Sequence, residues 1–311
     1  MIGIDFGGTK IKAASVREQE LVRFRSIDTR AAEDPAKILD DLAALARALE
    51  PSPESVGLAI PGEVDAGGRC WRLPNVPGFE GVEIARELGA RLGGARVVVE
   101  NDATTAALAE SLYGHGRQYE SFLLITLGTG IGGGLVLDGR VRPGAHGFAG
   151  EFGHLLIESG PGAARCGCGL TGCVEAYAGT RALLARYRAA GGAAENVRDI
   201  AEAARAGGEA ARAVFEAMGE AIGTGLVAVQ NLLDLDAVIF TGGISAASDL
   251  ILPGVRAGLR RRRFAAPLGE VPLLVSAVGA HAGVIGAAHL TRLPAPIPRR
   301  ADHPPAVSSV P

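Results

Sequence analysis

The stretch Met1–Arg17, MIGIDFGGTKIKAASVR, reads as two β-strands joined by a tight turn at Gly7 and Gly8. The same device returns at Phe122–Val141, FLLITLGTGIGGGLVLDGRV, so that residues 1–14 and the segment Leu123–Leu137 are two copies of one pattern. Around each copy, strands and helices alternate. A third strand is expected near Leu21–Ile27, helical periodicity from Pro35 to Glu50, a strand at SVGLAIPG, a Pro-rich loop through LPNVPGF, a helix around Val82–Leu92, a strand at ARVVVEN and a helix from Ala103. After the second copy come a cysteine-bearing insertion, a largely helical region from Cys173 to about Asp234, a strand at AVIFTGGIS, a helix, a strand at VPLLVSAVG and a short helix from His281. The order predicts an α/β protein in two halves.

Composition narrows the function. The 311 residues, 48% hydrophobic and 21% charged, suffice for two cores. A net charge of −3 offers no field for a polyanion, so neither nucleic acid nor membrane is an expected partner, and Arg260–Arg263 reads as a solvated helix end. Four cysteines, three clustered and Cys70 alone, make no disulfide framework, which points to the reducing cytoplasm. No secretory signal is expected ahead of the strand that starts at Met1, and no apolar run has bilayer length.

The cluster itself is informative. Cys166, Cys168 and Cys173, with His154 twelve residues before the first, form a donor set suited to tetrahedral zinc; four protein ligands leave no open position, so the metal would be structural. A redox pair or buried thiols is the alternative. Glu151 and Glu175 flank the set and would be tied to it.

Asp5, alone in an apolar strand, needs a cation or ligand to offset its burial. In the turn after it, Gly7 and Gly8 expose backbone N–H groups while Thr9 and Lys10 add a hydroxyl and a charge, a combination suited to phosphate and hydrated Mg²⁺; the alternative is a plain hairpin. Thr126, Gly128, Thr129, Gly130 and Gly132 form a second such loop, and Gly242 and Gly243 a third that could pass under a purine or ribose. No P-loop is present, and a strand follows LGTGIGGG where a dinucleotide fingerprint needs a helix. Asp102, at a strand-to-helix junction, is either an N-cap or a general base, and Asn75 either a turn residue or a sugar ligand.

DFGGTK, PNVPGF, ENDA, LGTGIGGG, GEFGH, CGCGLTGCVE and TGGIS, in this order from Ile2 to Leu290, resemble the ROK family of bacterial sugar kinases and related repressors. The resemblance implies a two-domain actin-like ATPase (ribonuclease H-like) α/β fold with a cleft between domains. Its N-terminal domain would be 1–113, completed by a helix at 281–292; the larger domain would be 114–280; and 294–311 would be a disordered tail. It further implies ATP-dependent phosphorylation of a hexose 6-hydroxyl, glucose first, with Asp102 as general base. Asn75, Asn101, Glu151, His154 and Glu175 would bind the other hydroxyls, zinc would sit on His154, Cys166, Cys168 and Cys173, and the protein would be a homodimer. The PGEVD at Pro61–Asp65 fits the glucose kinases; Thr104 stands where relatives often have Asn, which bears on fine specificity. Other hexoses stay open. A repressor would need a winged helix-turn-helix before Asp5, where four residues stand; a water-using ATPase and a polyphosphate donor are further alternatives, the cysteine motif arguing against the latter.

Overall fold

The computed structural model describes residues 1–65 and 67–293; the segment 294–311, expected to be a disordered tail, lies outside them. The first half runs β1 (Ile2–Phe6), β2 (Lys10–Arg17), β3 (Glu20–Asp28), α1 (Pro35–Leu49), β4 (Ser55–Ile60), a ribbon of β5 (Glu63–Val64) and β6 (Cys70–Arg72), α2 (Ile84–Arg91), β7 (Arg96–Asn101) and α3 (Asp102–Tyr113). The second runs β8 (Phe122–Leu127), β9 (Ile131–Leu137), β10 (Arg140–Val141), α4 (Val174–Ala178), α5 (Thr180–Ala189), α6 (Val197–Arg205), α7 (Glu209–Leu233), β11 (Ala237–Thr241), α8 (Ser248–Arg262), β12 (Leu273–Val275) and α9 (Ala282–Leu290).

The repeat expected from the glycine turns is visible in the topology. One five-stranded sheet has the order β3-β2-β1-β4-β7 and the other β10-β9-β8-β11-β12. In each, the hairpin strands pair antiparallel and the later strands add in parallel. Local signals account for the elements. Helix α1 starts where Asp34 Oδ1 accepts the Ala36 N–H (2.8 Å) and Pro35 presets the first turn, and its buried side chains, from Ile38 and Leu39 through Leu42 to Leu49, follow the helical period onto the first sheet. Helices α4 to α8 cover the second sheet around Phe152, Phe215, Met218 and Phe240.

Two helices cross over. Helix α3 follows a strand of the first sheet but packs chiefly on β8 and β9, whereas α9 follows the second sheet and packs on β1 and β4; the two also pack on each other. Glycine permits this approach: a Cβ at Gly57 would run into the Ala287 carbonyl and one at Gly134 into that of Ala103. Buried Glu110 fastens the end of α3 to the loop after β12, accepting from His115 N (2.8 Å), Ser276 Oγ (2.6 Å) and Ala277 N (3.2 Å). Gly57→Ala should cost about 1–3 kcal/mol through overpacking, read as a lower urea midpoint at unchanged slope. Among the described residues no helix is long and apolar enough to cross a membrane.

Candidate active site

Open parallel sheets bind ligands at the carboxyl ends of their strands, and here the three glycine turns follow the carboxyl ends of β1, β8 and β11. The first glycine turn is drawn tight by Gly7 N donating to Lys10 O (3.0 Å) and is braced by Thr29, whose hydroxyl donates to Gly7 O (2.6 Å) and whose N–H donates to Thr9 O (2.8 Å). Asn75 lies against Gly8, where an added Cβ would come 3.0 Å from its own. Lys10 is exposed and forms a surface ion pair. Its Nζ reaches Asp28 across the hairpin (2.8 Å), while the antiparallel register sets Lys12 opposite Asp5, 3.9 Å away. The strand period puts both lysines on one face, and the hairpin register decides which meets the carboxylate. Burial raises the Asp5 pKa, opposed by Lys12 and His281. Lys12 and Thr29 were not singled out from sequence.

The second turn is held from several sides. Thr126 Oγ1 accepts from Gly132 N (3.0 Å), and Thr180 donates its hydroxyl to Gly128 O (2.8 Å) from the start of α5. Glu175 Oε2 accepts from Ile131 N (3.0 Å), close enough to Gly130 that any side chain there would collide. Thr129 is exposed at the tip. Gly132 belongs to β9 rather than to the turn. The run Gly132–Gly134 lets neighbours approach both faces of that strand: Ala103 of α3 meets Gly132 and Gly134, and the Gly150 carbonyl of the GEFGH loop meets Gly133. The third turn adjoins the second, since β11 pairs in parallel with β8 and Gly242, at φ +91°, lies against the Leu127 backbone. Gly243 has open space beside it.

Asp102 could have been the cap of α3; Asn101 is. Its Oδ1 accepts from Ala103 N (2.9 Å) and Thr104 N (3.2 Å), and its Nδ2 donates to Gly62 O (3.1 Å), so both ends of the amide that was expected to meet sugar are engaged by protein. Asp102 is thereby left as the first helical residue, Oδ1 accepting from Ala103 N (2.8 Å) and Oδ2 remaining for another partner. Burial, reinforced by the nearby charges of Asp5 and Glu151, pushes its pKa up to about 7. Burial likewise raises that of Glu151, opposed by His154 and favoured by Glu63 and Glu175.

His154, Cys166, Cys168 and Cys173 gather so that their donor atoms all lie within 4.8 Å of one another. A tetrahedral zinc with Zn–S near roughly 2.3 Å requires sulfurs about 3.8 Å apart, the separation of Cys168 and Cys173. His154 Nδ1 faces Cys166 Sγ at 3.8 Å while Nε2 faces Glu151 at 3.8 Å, so one nitrogen is turned to the thiols and the other to the carboxylate. The donor set fits zinc. Glu175 connects it to the second glycine turn, its Oε1 lying 3.5 Å from Cys166 Sγ.

The ROK family model matches residues 1–293. The chain belongs to the ROK family. It is similar to the glucokinase of Streptomyces coelicolor (34% identity, 95% of this chain and 98% of that one) and to the kanosamine kinase of Amycolatopsis mediterranei (34%, 93% and 96%). A ROK family glucokinase from Streptomyces griseus, solved with glucose and AMPPNP, superposes with a TM-score of 0.80 at 32% identity, covering 94% of this chain and 98% of that one. The two-domain actin-like ATPase fold expected from the ROK motifs is therefore the fold of this chain. Thr104, the departure from the ROK pattern, is buried in α3 and gives its N–H to the Asn101 cap.

Proposed function

We propose that the protein is an ATP-dependent hexose kinase that transfers the γ-phosphoryl group to the 6-hydroxyl of glucose. The observation that supports this best is Asp102: a carboxylate relieved of capping duty, with one oxygen available and a pKa near the operating range, at a strand-to-helix junction close enough to Asp5 and Glu151 for their charges to act on it. In this reading the 6-hydroxyl gives its proton to Asp102 as its oxygen attacks the γ-phosphorus, and the broken bridging bond leaves its electron pair on the β-phosphate of ADP. Positioning and charge compensation supply most of such a reaction. Asn75, Glu151, His154 through Nε2, and Glu175 would hold the other hydroxyls. Asn101 acts by fixing Asp102.

In the turns at Gly7–Thr9 and Gly128–Gly130 the N–H groups of Gly8, Thr9, Thr129 and Gly130 would donate to phosphate oxygens, those of Gly7 and Gly128 being bonded within their own turns, with Gly242 and Gly243 beside the nucleoside. Lys10 at the turn and Lys12, 3.9 Å from Asp5, are the cations that would help. Asp5, a hard oxygen donor beside the first turn, would hold Mg²⁺, which supplies compensation of the phosphate charge. Zinc on His154, Cys166, Cys168 and Cys173 would be a structural clip for the loops carrying Glu151 and Glu175. The division into 1–113 with 281–292 and 114–280, a cytoplasmic location and a homodimer belong to the same reading.

A coupled ADP-release assay across hexoses, with ATP and polyphosphate as donors, tests it. ADP release should require a hexose bearing a 6-hydroxyl, and 6-deoxyglucose should fail. Similarity to a kanosamine kinase puts that sugar on the panel. ADP release indifferent to sugar would replace the kinase reading with a water-using ATPase.

A further inference from the structure

Trp71 on β6 and Phe148 in the loop after β10 come from opposite halves of the chain and meet edge to face, ring centroids 6.5 Å apart at 85°. Neither is a core residue: Trp71 is 49% and Phe148 39% exposed. Both are nonetheless held in place. Trp71 Nε1 donates to Asp65 Oδ2 (3.3 Å), Asp65 Oδ1 accepts from Gly67 N (2.9 Å) and Arg69 N (3.1 Å), and the Arg69 guanidinium lies 5.6 Å from the indole centroid. On the other side Gly147, at φ +91°, is pressed so closely on Val64 O and the Asp65 Cα that a side chain has no room. Loop and ribbon thus touch through backbone as well as rings.

Their places in the chain give the contact a purpose. Trp71 precedes Asn75 by four residues and Phe148 precedes Glu151 by three, so each ring stands just before a residue assigned to the sugar. Between them Arg72 pairs with Glu63, and this pair lies near enough to Glu151 for its charges to act on that carboxylate. We infer that Trp71 and Phe148 form an aromatic clasp that sets the distance between the Asn75 and Glu151 loops when a hexose is bound. This rests on the hexose-kinase reading. Both are positioning residues, acting through Asn75 and Glu151. A half-exposed edge-to-face pair is strong enough to bias the spacing of the two loops.

Trp71 is the chain's one tryptophan, so its fluorescence reports on the clasp directly. The test compares wild type, Phe148→Ala and Phe148→Tyr in steady-state kinetics and in glucose titrations followed by tryptophan emission. Wild type should change emission on adding glucose. Phe148→Ala should lose that response and raise the hexose KM by about 2- to 10-fold, the range of one aromatic pair, with kcat and the ATP KM within about twofold of wild type. Phe148→Tyr, which keeps the ring, should restore both. An unchanged hexose KM and emission response in Phe148→Ala would overturn the clasp, as would equal losses in kcat and thermal stability that Phe148→Tyr does not repair. Should wild type itself turn over no hexose, the kinase reading fails and takes the clasp with it; turnover by wild type with an indifferent Phe148→Ala sinks the clasp alone.

Discussion

Asp102→Asn is expected to lower kcat by about 10²- to 10⁴-fold while leaving the hexose KM within a few-fold of wild type, because the amide keeps the size and hydrogen bonds of the side chain but cannot take the proton. The cap of α3 is made by Asn101, so the substitution removes no helix-stabilising contact beyond the Ala103 N–H to Oδ1 bond, which an amide oxygen also accepts. The fold should even gain. Because the folded pKa, about 7, exceeds the ordinary 3.8, the stability contributed by Asp102 is fully present below about pH 3.8 and is lost as pH rises through 7. Above pH 7 the Asn variant should therefore melt at or above the wild-type temperature. The same value sets the rate profile: kcat/KM, which reports the free enzyme, should rise with pH along an acid limb centred near 7. A wild-type profile flat from pH 5.5 to 8, or an Asn variant of full turnover, would remove Asp102 from the chemistry.

Loss of the metal site should be the larger blow to stability. Cys173 is buried at the start of α4, immediately before the residues that carry Glu175, and Cys166 and Cys168 close the loop above it. With a metal bound only by the folded state at about 1,000 times its Kd, the fold gains about 4 kcal/mol, and a chelator or Cys168→Ser withdraws it. For a chain of this size that amounts to about 6 °C in Tm. Sugar binding should weaken with it, since Glu151 reaches the cluster through His154, and the second glycine turn should loosen, since Glu175 holds both Cys166 and Ile131 N. Zinc content by atomic absorption, beside melting curves and hexose KM, checks all three. One equivalent of zinc retained by Cys168→Ser with wild-type kinetics would contradict the ligand assignment.

Much of this architecture is legible in the letters, and the reasons differ from place to place. The duplicated strand-turn-strand survives as a duplicated sheet order because apolar alternation and paired glycines report local geometry. The histidine and three thiols converge as their spacing suggested. Other features depend on long-range register or packing. Asn and Asp are nearly equal as caps, so adjacent Asn101 and Asp102 give no local ground for assigning the role; the coordinates divide it. Lys10 stood nearer the turn in sequence, yet the hairpin register gave the Asp5 partnership to Lys12. Gly132, read as part of a phosphate turn, lies with Gly133 and Gly134 in β9, bare strand against which α3 and the GEFGH loop both lie. The exchange of α3 and α9 between sheets leaves no signature in either helix alone.

Where those exchanged helices cross, a Cβ at Gly286 would strike the Thr105 carbonyl. Each helix is seated on a different sheet, so bulk introduced there would have to push the two apart. The smallest of residues is what lets the two halves of the chain lie this close.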